Sequence, residues 1–192
     1  MRALARWWAP AATLLLAAGL WQVAAAGWIH VKAQVAQQLI ERAWSHAERG
    51  RPAGRPWPGA DLRPVARLVV PQRRVALYVL DNATPRALAF GPAHVGGTAL
   101  PGAWGNSVIV AHRDTHFAFL KDLAVDDEID VEPRAGERTR YRVREVAVLD
   151  KDEARVLDAA DAPQLTLITC FPFDAVLPGT RLRYVVIADR VA

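Results

Sequence analysis

The hydrophobic positions of the chain follow two patterns, and the change between them falls near residue 64. Residues 7–29 run without a charged side chain. A helix of that length spans roughly 34 Å, enough for a hydrocarbon core of about 30 Å. Residues 31–48 have helix-forming composition and a modest apolar stripe at helical spacing. The pattern predicts a membrane anchor over residues 1–30, followed by a juxtamembrane helix.

The residues around this apolar run predict its orientation. Arg2 and Arg6 precede it, and basic residues favour the cytoplasmic side. The rest of the chain would then lie outside the inner membrane, on the periplasmic side. A cleaved signal peptide is the alternative, because the alanines at 24–26 resemble a small-residue cleavage site. Both interpretations export the remainder of the protein.

The second pattern consists of short β-rich runs separated by turn residues. A segment rich in proline and glycine, residues 49–64, precedes it and predicts a linker. Strands are predicted at 65–70, 75–80, 107–112, 128–132, 139–149, 164–170 and 181–188. Seven or eight short strands without helix–strand alternation predict an all-β, closed or nearly closed barrel with short helices. We place the folded domain at residues 56–192, with residues 31–55 as juxtamembrane helix and linker.

Composition narrows the classes of function. The formal net charge is +4, and two of the 24 basic residues, Arg2 and Arg6, precede the apolar run. The rest of the chain is nearly neutral, so a nucleic-acid-binding face is not indicated. Cys170 is the single cysteine, which excludes an internal disulfide and leaves either a small buried group or a reactive thiol.

Three residue types that carry acyl-transfer chemistry stand at the ends or starts of predicted strands. Cys170 ends the run QLTLITC, and Pro172 stops the strand just beyond it. His112 ends SVIVAH and begins the polar segment HRDTH. Arg183 lies on the next strand, RLRYVVIA, where a guanidinium can stand beside the thiol. Arg181 lies on the same face of that strand and is a rival.

Other interpretations of these residues stay open. A lone cysteine is more often a small buried side chain than a nucleophile, and an arginine on a strand is usually a solvated charge. His112 and His116 are four apart, but Arg113 stands where a zincin has glutamate, so a metal site is only weakly indicated. Asp114 could orient a neighbour or cap the turn.

Three segments of the sequence resemble motifs of a known family. TLITC (166–170), followed thirteen positions later by Arg183 in RYVV, is similar to the sortase signature TLxTC…R. VIVAHRDTHFAFLKDL (108–123) resembles the sortase histidine segment, with Ala111 where the family usually has glycine. PWPGADLRPVARLVVP (56–71) is similar to the entry into the catalytic domain of exported sortases of Gram-negative bacteria. The resemblance covers roughly residues 56–190.

The resemblance implies a cysteine transpeptidase with a sortase-like barrel. Cys170 would be the nucleophile, His112 the proton shuttle and Arg183 the electrostatic stabiliser. Thr169 would line the substrate groove, although a β-branched strand residue has an equally good structural reason to stand there. No metal or organic cofactor is implied. The implied partners are an exported protein with a C-terminal sorting signal, an amine acceptor, and the inner membrane through residues 7–29.

Two alternatives remain at this stage. An L,D-transpeptidase is also exported and cysteine-dependent, but its Ser-x-Gly-Cys-x-Arg context differs from Leu-Ile-Thr-Cys-Phe-Pro here. A non-catalytic anchored β-barrel that binds a partner would leave Cys170 inert. Thiol alkylation of the folded protein separates an inert buried cysteine from a reactive one.

Overall fold

The computed structural model describes residues 5–48, 55–134 and 137–191. Residues 1–4, which include Arg2, and residues 49–54 of the predicted linker lie outside the described part. Contacts divide the chain into two compact units, Met1–Val35 and Ala36–Ala192.

The first unit contains most of the N-terminal helix α1 (Ala5–Glu48). Its exposed large apolar side chains are Leu14, Leu15, Leu16, Leu20, Trp21, Val23, Trp28, Val31 and Val35. Residues 7–29 are helical, but no helix among the described residues is both long and apolar enough to cross a membrane. The predicted membrane-spanning helix is therefore not found. Much of the run is alanine, whose small side chain contributes little apolar area.

The second unit is built on a closed barrel of eight strands. The strands are β1 (Pro64–Val70), β2 (Val75–Leu80), β3 (Ala93–His94), β4 (Asn106–Val110), β5 (Glu128–Pro133), β6 (Thr139–Asp150), β7 (Gln164–Phe171) and β8 (Leu182–Arg190). Around the barrel they follow the order β1-β2-β3-β4-β7-β8-β6-β5. The pairs β2–β3 and β4–β7 are parallel, and the others are antiparallel.

The predicted all-β barrel is confirmed, and all seven predicted strands are present with small shifts at their ends. The sequence missed the two-residue strand β3, because it lies in a loop rich in glycine and proline without an alternating pattern. Short helices also occur: α2 (Pro85–Leu88) and 3-10 turns at Pro71–Arg73, Ala118–Asp122 and Ala154–Leu157.

The barrel interior is filled by alternate residues of its strands, as a closed sheet requires. This core includes Leu68, Ile109, Ile129, Leu167 and Val186, all fully buried. The segment after β4 closes one end of it, since Phe117 and Leu120 belong to the same core. Packed core side chains therefore lie behind the ends of β4 and β7.

The last part of α1 belongs to the barrel unit, which begins at Ala36 rather than at residue 56. Ile40 is fully buried in a second apolar cluster with Leu62 and Leu80. The Gln37 side chain donates to the Phe90 carbonyl at 2.7 Å and accepts from the Tyr78 N–H at 3.3 Å. Residues 36–48 are therefore an integral part of the folded unit, where the sequence indicated a stalk.

Candidate active site

Three adjacent strands, β4, β7 and β8, lead to the predicted site residues at one end of the barrel. Cys170 of β7 is directly paired with Arg183 of β8. On the other side, the parallel register of β4 and β7 ends with the pair Val110 and Ile168. His112 follows two residues beyond the end of β4. The backbone therefore pairs Cys170 with Arg183, and the strand before His112 runs beside the one that carries Cys170.

The alternation of side chains places Cys170 and Arg183 on the same outer face of the sheet. Ile109, Leu167 and Val186 belong to the barrel core. Residues adjacent to them, Val108, Ile168 and Val185, form a separate apolar cluster. Because successive side chains alternate in a strand, residues 170 and 183 continue this outer set. His112 is exposed, while Cys170 and Arg183 are half-buried.

The outer face next to these positions is apolar. Partly buried side chains surround the outer cluster: Val95, Val110, Leu149, Val156 and Ile187. The β6–β7 connection passes over this face, and the Asn106 amide fixes it by donating to the carbonyls of Val156 and Asp158 at 3.0 and 3.1 Å. A cavity of about 210 Å³ lies beside the connection, and its lining combines charged side chains such as Arg144 and Arg155 with the apolar Leu149 and Ile187.

Thr169 lies on the opposite face of β7 from Cys170. Its side chain is 2% exposed, and its hydroxyl donates to the Ala111 carbonyl at 2.7 Å. The Ala111 N–H in turn donates to the Ile168 carbonyl at 3.3 Å. This placement favours a structural role over the predicted substrate contact, because the hydroxyl joins the end of β7 to the residue before His112.

Arg183 and Arg181 differ in their partners. Arg183 Nη1 donates to the carbonyls of Thr180 and Leu182 at 2.7 and 2.9 Å. Arg181 is more exposed and makes ion pairs with Asp150 and Asp152 at 2.6 and 3.3 Å. In the described part of the chain, Arg183 makes no ion pair with a carboxylate. Of the two arginines, Arg183 is therefore the one whose charge is not neutralised by an ion pair among the described residues.

Sequence reasoning missed Arg113. Its guanidinium donates to the carbonyls of Ala175 and Leu177 at 2.7 and 3.0 Å, and to the Thr180 hydroxyl at 3.1 Å. These three acceptors lie in the β7–β8 loop, residues 172–181. The sequence offered one signal for Arg113, its position next to His112. That signal does not reveal that its guanidinium contacts residues more than 60 positions away.

The second histidine of the segment is electrostatically coupled to the first. Burial and the nearby charge of His112 lower the pKa of His116 from 6.5 to about 4, while Asp114 acts in the opposite direction. His116 is therefore neutral near pH 7 and partly buried, whereas His112 is exposed. Among the described residues, no group of three histidine, cysteine or acidic side chains is placed to hold a metal ion.

Comparisons with known proteins place this geometry in a family. A family model described as a Sortase domain matches residues 68–191. Sortase D of Bacillus subtilis (strain 168) is 27% identical over 125 residues, which are 65% of this chain and 62% of that protein. The chain thus spans less than two thirds of the length of this relative.

Two solved structures are similar in fold. The sortase D5 transpeptidase of Clostridium perfringens superimposes with a TM-score of 0.60 at 25% identity, over 68% of this chain and 80% of that one. Sortase A of Corynebacterium diphtheriae gives 0.62 at 29% identity, over 70% and 63%. Because the family model matches more than half of its length, the chain belongs to the sortase family.

Proposed function

We propose that this protein is a cysteine transpeptidase of the sortase type. It cleaves a sorting signal near the C-terminus of an exported protein and transfers the new acyl end to an amine. The observation that supports this most is the register of β7 and β8, which pairs Cys170 with Arg183, beside the strand β4 that ends two residues before His112. The similar Clostridium perfringens protein is itself described as a transpeptidase.

The first half-reaction forms a thioester. The Cys170 thiolate attacks the scissile carbonyl carbon, and the carbonyl oxygen becomes an oxyanion. The C–N bond then breaks, and the His112 imidazolium gives its proton to the departing amine. Sulfur suits both directions of the exchange, because it attacks well as a thiolate and leaves well afterwards.

The second half-reaction restores the enzyme. An incoming amine attacks the thioester carbon and gives a proton to neutral His112, and the C–S bond breaks to release the Cys170 thiolate. Arg183 stabilises the oxyanion in both halves or orients the peptide carbonyls, as a guanidinium with available donors can. Water must be kept from the thioester until the amine arrives, and the apolar outer face next to the thiol supports that requirement.

The experiment combines trapping of the thioester with paired variants. Purified protein is incubated with a pool of synthetic peptides, and intact mass spectrometry detects acylated protein. We expect the adduct in the wild type and none in Cys170→Ala, with the fold of the variant unchanged by circular dichroism. Failure of the wild type to acquire any acyl group, together with slow alkylation of Cys170 by iodoacetamide, would favour the non-catalytic alternative.

The choice of arginine has its own matched control. Arg183→Ala should slow thioester formation by about 10²–10³-fold, the usual cost of one oxyanion donor. Arg181→Ala should stay within about threefold of the wild type, because its guanidinium is engaged by two aspartates. The reverse ranking would move the stabilising role to Arg181.

Location and type complete the proposal. We place the catalytic domain outside the cytoplasm, at the periplasmic side of the inner membrane, because the substrates of the family are exported proteins. Assignment to the exported Gram-negative type depends on the resemblance of residues 56–71. Protease accessibility of the domain in spheroplasts tests the location: protection from added protease in intact spheroplasts would contradict it.

A further inference from the structure

Two arginines contact the same threonine through different groups. Arg113 Nη1 donates to the Thr180 hydroxyl at 3.1 Å. Arg183 Nη1 donates to the Thr180 carbonyl at 2.7 Å. Thr180 lies in the β7–β8 loop, two residues before β8 begins. It therefore links the segment that begins with His112 to the guanidinium of the residue paired with Cys170.

The other contacts of Arg113 fix the loop as a whole. Its Nη2 donates to the carbonyls of Ala175 and Leu177, so three acceptors spread over six residues converge on a single guanidinium. The planar fork of arginine suits several acceptors at once, whereas a lysine ammonium cannot reproduce that geometry. The loop that follows the nucleophile is thus held to the segment after β4 by one side chain.

Arg183 depends on these contacts for its orientation. Nη1 is occupied by the carbonyls of Thr180 and Leu182. In the described part of the chain, Nε and Nη2 have no protein acceptor, so they remain for a substrate oxygen. Since no carboxylate among the described residues pairs with Arg183, its direction is set by the carbonyls of Thr180 and Leu182, and the hydroxyl of the same Thr180 accepts from Arg113.

We propose that Arg113 is a positioning residue, which acts through Thr180 to aim Arg183 at the oxygen of the acyl group on Cys170. The inference rests on the proposed transpeptidase function, and it adds a residue outside the three predicted from the sequence. Arg113 itself does not touch the reacting atoms in this account. Its role is to keep the histidine segment, the loop and Arg183 in one arrangement.

The sharpest perturbation is Thr180→Val, which removes the hydroxyl and keeps the shape and the backbone carbonyl. We expect the rate of thioester formation to fall about 10- to 100-fold with little change in KM, using the peptide that the wild type cleaves fastest in the synthetic pool. Thr180→Ser keeps the hydroxyl and should stay within threefold of the wild type. Arg113→Lys should resemble Thr180→Val, and Arg86→Gln, a remote surface change, should have no effect.

A double-mutant cycle separates positioning from general stability. In an Arg183→Ala background, Thr180→Val should cause no further loss, because the guanidinium that it orients is gone. An equal loss in both backgrounds would overturn the inference, as would full activity of Thr180→Val. Melting temperature is recorded for each variant, and a loss of rate explained by unfolding at the assay temperature also counts against it.

One readout needs no substrate. In ¹⁵N NMR spectra, the Arg183 side-chain signal, assigned by its absence in Arg183→Lys, should shift and broaden in Thr180→Val and in Arg113→Lys. An unchanged signal would overturn the positioning inference. If the wild type forms no thioester with any peptide, the proposed function fails, and the NMR result still tests the link between Arg113 and Arg183.

Discussion

The buried hydroxyl of Thr169 provides the strongest test of how the site is held together. It donates to the Ala111 carbonyl at 2.7 Å and lies next to Cys170, while its acceptor lies next to His112. Thr169→Val keeps the volume and the β-branched shape, but it leaves a buried carbonyl without this donor. The change therefore isolates one hydrogen bond between the end of β7 and the segment that leads from β4 to His112.

The magnitude follows from burial. Thr169 is 2% exposed, so water cannot easily replace the lost donor, and an unsatisfied buried group costs about 1–3 kcal/mol. In a domain of this size that loss lowers the melting temperature by roughly 2–12 °C. Because Ala111 precedes His112, the end of β4 should also shift, and misplacement of about 1 Å can cost about 100-fold in rate.

The assays are urea unfolding and single-turnover thioester formation. We expect Thr169→Val to lose both stability and rate, with KM little changed, and Thr169→Ser to retain most of the rate because it keeps the hydroxyl. Unchanged stability together with a raised KM would refute the structural reasoning and restore the substrate contact predicted from the sequence.

Two further predictions concern charge and stability. Because the pKa of His116 is lowered in the native state, between pH 6.5 and about 4 the unfolded chain binds a proton that the native state does not bind. The free energy of unfolding should therefore decrease as the pH is lowered through that window. His116→Asn should reduce the decline by about 2 kcal/mol in urea titrations at pH 7 and 4.5, and an identical decline would contradict the assignment. Asp130 is 1% exposed and accepts from Arg138 and Arg140, which hold its carboxyl pKa below the usual range. Asp130→Asn should cost about 2 kcal/mol at pH 7 and less as the pH falls through the lowered pKa of Asp130, where the wild-type carboxylate is also lost, and a cost that does not change with pH would show that charge is not involved.

The sequence was sufficient to predict most strands of the barrel, but not where the folded unit begins. The strands were predictable because alternating β-branched residues and turn signals are local features, readable within windows of about ten residues. β3 was not, since two residues in a glycine-rich loop carry no period. The apolar stripe of α1 was visible, but its partners Leu62 and Leu80 are supplied by distant segments, so the docking of residues 36–48 on the barrel was hidden.

For the candidate site, too, the sequence predicts some features and only the tertiary structure shows the others. The sequence predicts Cys170, His112 and Arg183 as site residues because each stands at or near a strand end and matches the family motif. Tertiary structure alone decided that Thr169 turns inward, that Arg181 is engaged by two aspartates, and that Arg113 holds the β7–β8 loop. Hydrogen bonds depend on distances of a few tenths of an ångström between residues far apart in the chain, and such distances exist only once the strands are paired. Residue types therefore indicated the chemistry, and strand register decided which side chains can perform it.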